Sequence, residues 1–224
     1  NVETIMALPW ILTHGPQAYR AIGTERSPGT KLFSISGDVT RPGVYEIPLG
    51  MPMLEFFERA GGIDGTLLGC IPGGSSAPVL DADECAQCTM DYESLGGLKS
   101  MLGSGAVMPF NDTRDPVRIL EPIARFYAHE SCGQCTPCRE GTGYAERVFR
   151  RVLAGEGRGG DIDLFFDLAA NFEWTTICPL ATADAWAIKS FVTKFRDHFD
   201  RYIDTSTMKD AGRELAELRP GGFM

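Results

Sequence analysis

Residues 130–141 read ESCGQCTPCREG, and residues 176–180 read TICPL. The first stretch sets Cys132, Cys135 and Cys138 in a Cys-x2-Cys-x2-Cys pattern, and the second adds a distant Cys178. A cubane iron–sulfur cluster needs four thiolates converging on four iron corners. A tight loop of three cysteines plus one remote cysteine is a recurring way to supply them. The four are therefore candidate ligands of a 4Fe-4S cluster. Gly133 lets the main chain come close to inorganic sulfides. Thr136 and Pro137 suit the N-cap and first position of a following helix, whose positive end would face the anionic cluster. Structural zinc is the competing metal, but its sites usually join two Cys-x2-Cys pairs or add histidines. A redox disulfide would leave the third cysteine unused.

Around this loop the apolar residues keep a helical period. Val117, Leu120, Ala124 and Tyr127 form one stripe, Tyr144, Val148 and Val152 a second, and Ile162, Phe165, Ala169 and Phe172 a third. The last runs from Ala185 through Ile188, Val192, Phe195 and Phe199 to Tyr202. Four amphipathic helices joined by short linkers, one of them the glycine-rich AGEGRGG, must bury these stripes against one another. A four-helix bundle is the expected packing. Phe165, Phe166, Phe172 and Trp174 read as core aromatics of this bundle.

The residues before it alternate instead. KLFSISG and VYEI, separated by Pro42-Gly43, predict a β-hairpin. A short helix should follow, with Pro52 in its first turn, an apolar side of Leu54, Phe56, Phe57 and Ala60, and Gly61-Gly62 as its stop. CIPGGSSAPVL reads as a strand and loop, 81–91 as an acidic, cysteine-bearing loop, and SLGGLKSMLGSGAVMPF as a short helix and a strand from Ala106 to Phe110 that rejoins the sheet. The fold class expected is α+β. The opening 1–26 mixes an apolar segment (Ile5, Met6, Leu8, Trp10, Ile11, Leu12) with a polar exit.

Composition limits the function classes. At 224 residues with 43% hydrophobic and 23% charged content the chain is an ordinary globular protein. Its net charge of −9 opposes a phosphate backbone, so nucleic acid is not an expected partner. No run approaches the roughly 20 apolar residues of a membrane-spanning helix, and NVETIMALPW lacks the features of a signal peptide. Direct membrane insertion is not expected. Seven cysteines, five of them in Cys-x2-Cys spacings, point to metal or redox chemistry in a reducing compartment. Cys85 and Cys88 form a further pair, and with Cys70 they read as ordinary thiols, a redox pair or a second metal site. His129 reads as a solvent-facing group at a helix end, with cluster tuning as the alternative. PGGSS reads as a tight turn rather than a phosphate cradle.

Taken in order, NVET, LPWIL, IGTERSPGTKLFSISGDVTRPGVYEIPLG, PGGSSAPVL, SMLGSGAVM, ESCGQCTPCREGTG and TICPL resemble one family. It is the flavin-carrying, NADH-oxidising F subunit of respiratory complex I, with its relatives in NAD-linked hydrogenases and formate dehydrogenases. The resemblance implies that 31–112 form a ubiquitin-like β-grasp, soluble-ligand-binding domain. It implies that 113–205 form the helical bundle holding the 4Fe-4S cluster, with 206–224 a polar tail. Residues 1–30 then resemble the end of the family's flavin- and NADH-binding domain, and Asn1 and Thr4 match the asparagine and threonine that approach the FMN phosphate.

The implied role is to take electrons from FMN, reduced by NADH, and pass them through the cluster to the next Fe–S carrier, as part of a multisubunit NADH dehydrogenase. FMN would be shared with a flavin-domain polypeptide or an N-terminal part outside this sequence, through a split gene or a fragment. No catalytic residue is assigned to the chain itself. Implied partners are a 2Fe-2S thioredoxin-like subunit and a larger Fe–S subunit. The implied setting is cytoplasmic or the mitochondrial matrix, peripheral to a membrane through partners. The chain departs from the family at Cys85 and Cys88, and it ends without a ferredoxin-type cysteine run, which favours a complex I or formate-dehydrogenase type partner set. The alternative, from another class, is a binding or scaffold module with a structural metal.

Overall fold

Alternation in residues 30–48 produces the first two strands of the computed structural model, which describes residues 2–203. In β1 (Thr30–Ile35), Phe33 and Ile35 are buried while Leu32 and Ser34 face out, the period-two pattern of a half-buried strand. It pairs antiparallel with β2 (Gly43–Pro48). The expected return strand forms as β5 (Ala106–Asn111), parallel to β1. On its other side β5 pairs antiparallel with β3 (Leu67–Ile71), which in turn pairs with β4 (Leu80–Asp81). The resulting mixed sheet has the order β2-β1-β5-β3-β4.

The chain divides into two compact units, Asn1–Thr113 and Arg114–Met224. The first contains α1 (Val2–His14), α2 (Pro16–Arg20), α3 (Met53–Arg59), α4 (Ala82–Gln87) and α5 (Tyr92–Gly97) with the sheet. Its core gathers Phe33, Ile35, Ile47 and Val107 from strands with Met53, Phe56 and Phe57 from α3. Leu54, expected on the buried side of α3, is exposed, because Met53 takes the place one residue before it. The stretch 81–91 is not all loop. Asp81 accepts from the Glu84 N–H at 2.9 Å and Glu84 accepts from the Asp81 N–H at 3.1 Å, a reciprocal cap that starts α4.

The second unit contains α6 (Pro116–Glu130), α7 (Thr136–Arg151), α8 (Asp161–Phe172), α9 (Leu180–Lys194) and α10 (Arg196–Asp200). In sequence order α6 packs on α7, α7 on α8 and α8 on α9, and α9 returns to α6. Val117, Leu120, Ala124 and Tyr127 are all buried, as are Ile162, Phe165, Ala169 and Phe172. Tyr144 is exposed, and α7 instead buries Cys138, Thr142, Ala145, Val148 and Phe149. The final stripe is buried from Ala185 to Tyr202, but its helix breaks at Phe195, where φ is −119° and ψ is 31°. Gly155, at φ +80°, kinks the π-type turn Val152–Glu156 between α7 and α8 from within. Asp115 caps α6 through the Val117 N–H at 3.0 Å and also accepts from the Tyr202 hydroxyl, tying the last helical turn to the first. Asn1 and the tail 206–224 lie outside the described residues.

Candidate metal centre

Two residues without thiols shape the loop that follows α6. Ser131 ends the helix at φ −62° and ψ 120°, and Gly133 turns the chain at φ +79°, a region open to glycine without steric cost. Arg139 reaches back from α7 and donates to the Gly133 carbonyl at 2.7 Å. The Gly133 N–H donates to Ser131 Oγ at 3.4 Å. Cys135, rather than the expected Thr136, is the N-cap of α7, and its side chain makes no cap bond. Cys138 follows within the first turn. Among the three, Cys132 is exposed, Cys135 half-buried and Cys138 buried.

Cys178 arrives on the turn between α8 and α9 and is exposed. Trp174 starts this turn at φ +58°, left-handed for a bulky residue. Its N–H donates to Thr182 Oγ1 at 3.0 Å and its ring meets Trp186 edge-on at 5.5 Å. Trp174 is therefore an exposed brace of the turn, not the core aromatic expected. Thr176 Oγ1 donates to the Cys178 carbonyl at 2.9 Å. The Ile177 N–H donates to Cys135 Sγ at 3.4 Å, which brings the turn onto the three-cysteine loop.

The sulfurs also interact electrostatically. Burial pushes the Cys138 thiol up, the hydrogen bond with Ser131 pulls it down, and Cys178, Cys135 and Cys132 each push it up again. All four cysteines thus share one neighbourhood, and four thiolates there would repel one another without a cationic centre. Among the described residues, no three His, Cys, Asp or Glu side chains gather tightly enough for a single metal ion. Four cysteine sulfurs, three of them from one tight loop and one from a remote turn, are a donor set that fits a 4Fe-4S cluster.

The other candidate residues fall elsewhere. Thr4 lies exposed on α1. His129 is exposed and pairs with Glu130 at 3.0 Å. Cys70, Cys85 and Cys88 are buried. Burial raises the Cys70 thiol, which also hydrogen-bonds with Cys85. It pushes Cys88 up to about 11. Burial of all three, with raised thiols at Cys70 and Cys88, is the setting of ordinary core thiols. In PGGSS, a Cβ on Gly73 would meet the Met101 carbonyl oxygen at 2.4 Å, so close packing accounts for that glycine. Sequence reasoning does not find Ser131 or the Ile177 amide, because neither residue type is a ligand and only the folded backbone brings them to sulfur.

Residues 118–202 match the NADH-ubiquinone oxidoreductase-F iron-sulfur binding region, and residues 31–107 match the SLBB domain. The NADH-quinone oxidoreductase F subunit 1 of Rhizobium meliloti is 41% identical over 211 residues, which cover 92% of this chain and 49% of the relative. The chain is similar to the C-terminal part of the NADH-quinone oxidoreductase F subunits. A mitochondrial relative, the NADH-ubiquinone oxidoreductase 51 kDa subunit of Neurospora crassa, is 39% identical over 96% of this chain and 45% of its own length. The chain thus spans about half the length of the F subunits it matches, and it fits their C-terminal part. A solved NAD+-reducing [NiFe]-hydrogenase superposes with a TM-score of 0.81 at 30% identity, covering 100% of this chain and 40% of the hydrogenase chain. Among the described residues, no helix is long and apolar enough to cross a membrane.

Proposed function

We propose that this chain relays electrons within an NADH dehydrogenase module, through a 4Fe-4S cluster held by Cys132, Cys135, Cys138 and Cys178. The Ile177 N–H bond to Cys135, which joins the Cys178 turn to the three-cysteine loop, carries this reading. When bound, the cluster supplies one-electron chemistry, and the protein supplies position and electrostatics. Buried Cys138 keeps one side of the site from water. Exposed Cys132, Cys178 and Ile177 leave the other side open to close approach by a second carrier.

In this reading 31–112 form a β-grasp domain and 113–205 a four-helix bundle, with 206–224 a tail. The sheet order with α3 in its core and the ring of α6 to α9 support it. Residues 1–30 belong with the flavin- and NADH-binding domain. No residue of α1 is buried, and Val2, Ile5, Met6 and Leu12 are each more than half exposed, a face suited to burial against a flavin-bearing polypeptide. Asn1 and Thr4 would approach the FMN phosphate there. A 2Fe-2S thioredoxin-like subunit and a larger Fe–S subunit are the further partners, in the cytoplasm or mitochondrial matrix.

The test is anaerobic reduction followed by visible absorbance. With a flavin-bearing partner present, NADH bleaches the cluster band; without it, dithionite does and NADH does not. A chain that binds its partner but shows no bleaching with either reductant is a scaffold module instead.

A further inference from the structure

Ser131 stands half-buried at the end of α6, one residue before the first cysteine. Its Oγ lies 3.2 Å from Cys138 Sγ and 3.4 Å from the Gly133 nitrogen. A hydroxyl has one proton and two acceptor lone pairs. The Gly133 N–H takes a lone pair, so the proton is left for sulfur. A metal-bound cysteine has no proton of its own, so the direction of the bond follows: Ser131 donates and Cys138 accepts. The bond to Cys135 comes instead from a main-chain donor, the Ile177 N–H. Ser131 is the donor that a side-chain substitution can remove.

We infer that Ser131 is a positioning residue that sets the reduction potential of the cluster by donating its hydroxyl proton to the Cys138 thiolate. The inference rests on the assignment of the four cysteines as ligands. Reduction places extra negative charge on the cluster and its thiolates, and a hydrogen bond to charged sulfur strengthens as that charge grows. The bond therefore favours the reduced state and makes the potential more positive. Cys138 is the buried ligand, where lower dielectric makes the same bond count for more. The electron comes from the reductant. Ser131 keeps its proton, and no bond at the residue is broken.

The experiment is an EPR-monitored redox titration of the full chain, prepared anaerobically with iron and sulfide, in wild type, Ser131→Ala and Ser131→Thr. Iron content is measured on each sample. Ser131→Ala should keep its iron and shift the reduction equilibrium about tenfold toward the oxidised state, 59 mV more negative for a one-electron couple. Ser131→Thr, which keeps the hydroxyl, should titrate like wild type. In wild type, exchange into D2O should shift the cluster's Fe–S stretching bands in resonance Raman spectra more than it does in Ser131→Ala.

Equal potentials for wild type and Ser131→Ala overturn the inference. So does loss of iron from Ser131→Ala with helicity retained, since the hydroxyl would then hold the loop rather than set the potential. Should Ser131→Ala not fold, Ser131→Gly, which also lacks the hydroxyl, takes its place and is read in the same way. Wild-type protein that takes up no iron removes the cluster assignment itself, an outcome distinct from an unshifted potential in loaded protein.

Discussion

Ile177 and Cys135 are 42 residues apart in sequence, and the Ile177 N–H donates to the Cys135 sulfur at 3.4 Å. This bond joins the turn before α9 to the start of α7, so the remote cysteine is delivered by backbone geometry. Because the donor is main chain, the identity of the side chain at 177 is unimportant to it.

Ile177→Ala should therefore leave iron content unchanged, and it should alter stability by under about 0.5 kcal/mol, since the side chain is 86% exposed. Cys178→Ala removes a proposed ligand and should lower iron per chain by at least a quarter. Iron analysis beside urea denaturation separates the two effects. Equal iron in wild type and Cys178→Ala would contradict the ligand assignment.

Two glycines in α7 should respond with opposite signs. A Cβ on Gly141 would lie 2.4 Å from Cδ1 of Phe172, a fully buried ring that cannot retreat. A Cβ on Gly143 would meet only the end of the Arg147 side chain at 3.5 Å. Alanine in a helix gains about 1 kcal/mol over glycine, while overpacking a core costs about 1–3 kcal/mol. Gly143→Ala should raise the urea midpoint, and Gly141→Ala should lower it.

Asp184 gives the second unit a pH dependence. It is buried in α9, neither carboxylate oxygen finds a hydrogen-bond partner among the described residues, and burial pushes its carboxyl well above the usual range. Below the ordinary Asp value of about 3.9 both states are protonated and the group is neutral in its effect. Above it the unfolded chain loses the proton while the native chain keeps it, so stability falls until the folded value is reached. The slope is at most about 1.4 kcal/mol per pH unit. Urea midpoints from pH 4 upward should fall in wild type relative to Asp184→Asn; parallel curves would show that Asp184 is not held neutral.

The reciprocal cap at α4 makes a smaller prediction. Asp81→Ala frees the Glu84 N–H and should cost about 1 kcal/mol, seen as a lower urea midpoint of the first unit. An unchanged midpoint would mean that packing of Cys85 holds the helix without its cap.

Much of this is legible in sequence, for physical reasons. Val117, Leu120, Ala124 and Tyr127 step three, four, three and stay on one helical face, so their burial is readable. Tyr144, Val148 and Val152 step four and four, and each such step turns about 40° off the face. Ala145 and Phe149 take the buried side, leaving Tyr144 exposed. The Asp81–Glu84 cap is present in the letters, but the acidic composition around it masks the helix and makes the stretch read as a loop. The break at Phe195 has neither glycine nor proline to announce it. At the candidate metal centre the four proposed ligands stand out by their spacing. Ser131 and the Ile177 amide do not, since their roles depend on where the backbone points after folding.

Iron and acid-labile sulfide analysis of the full chain, purified without oxygen, tests the central claim most directly. The account predicts about four irons and four sulfides per chain. One zinc per chain with no labile sulfide would contradict it.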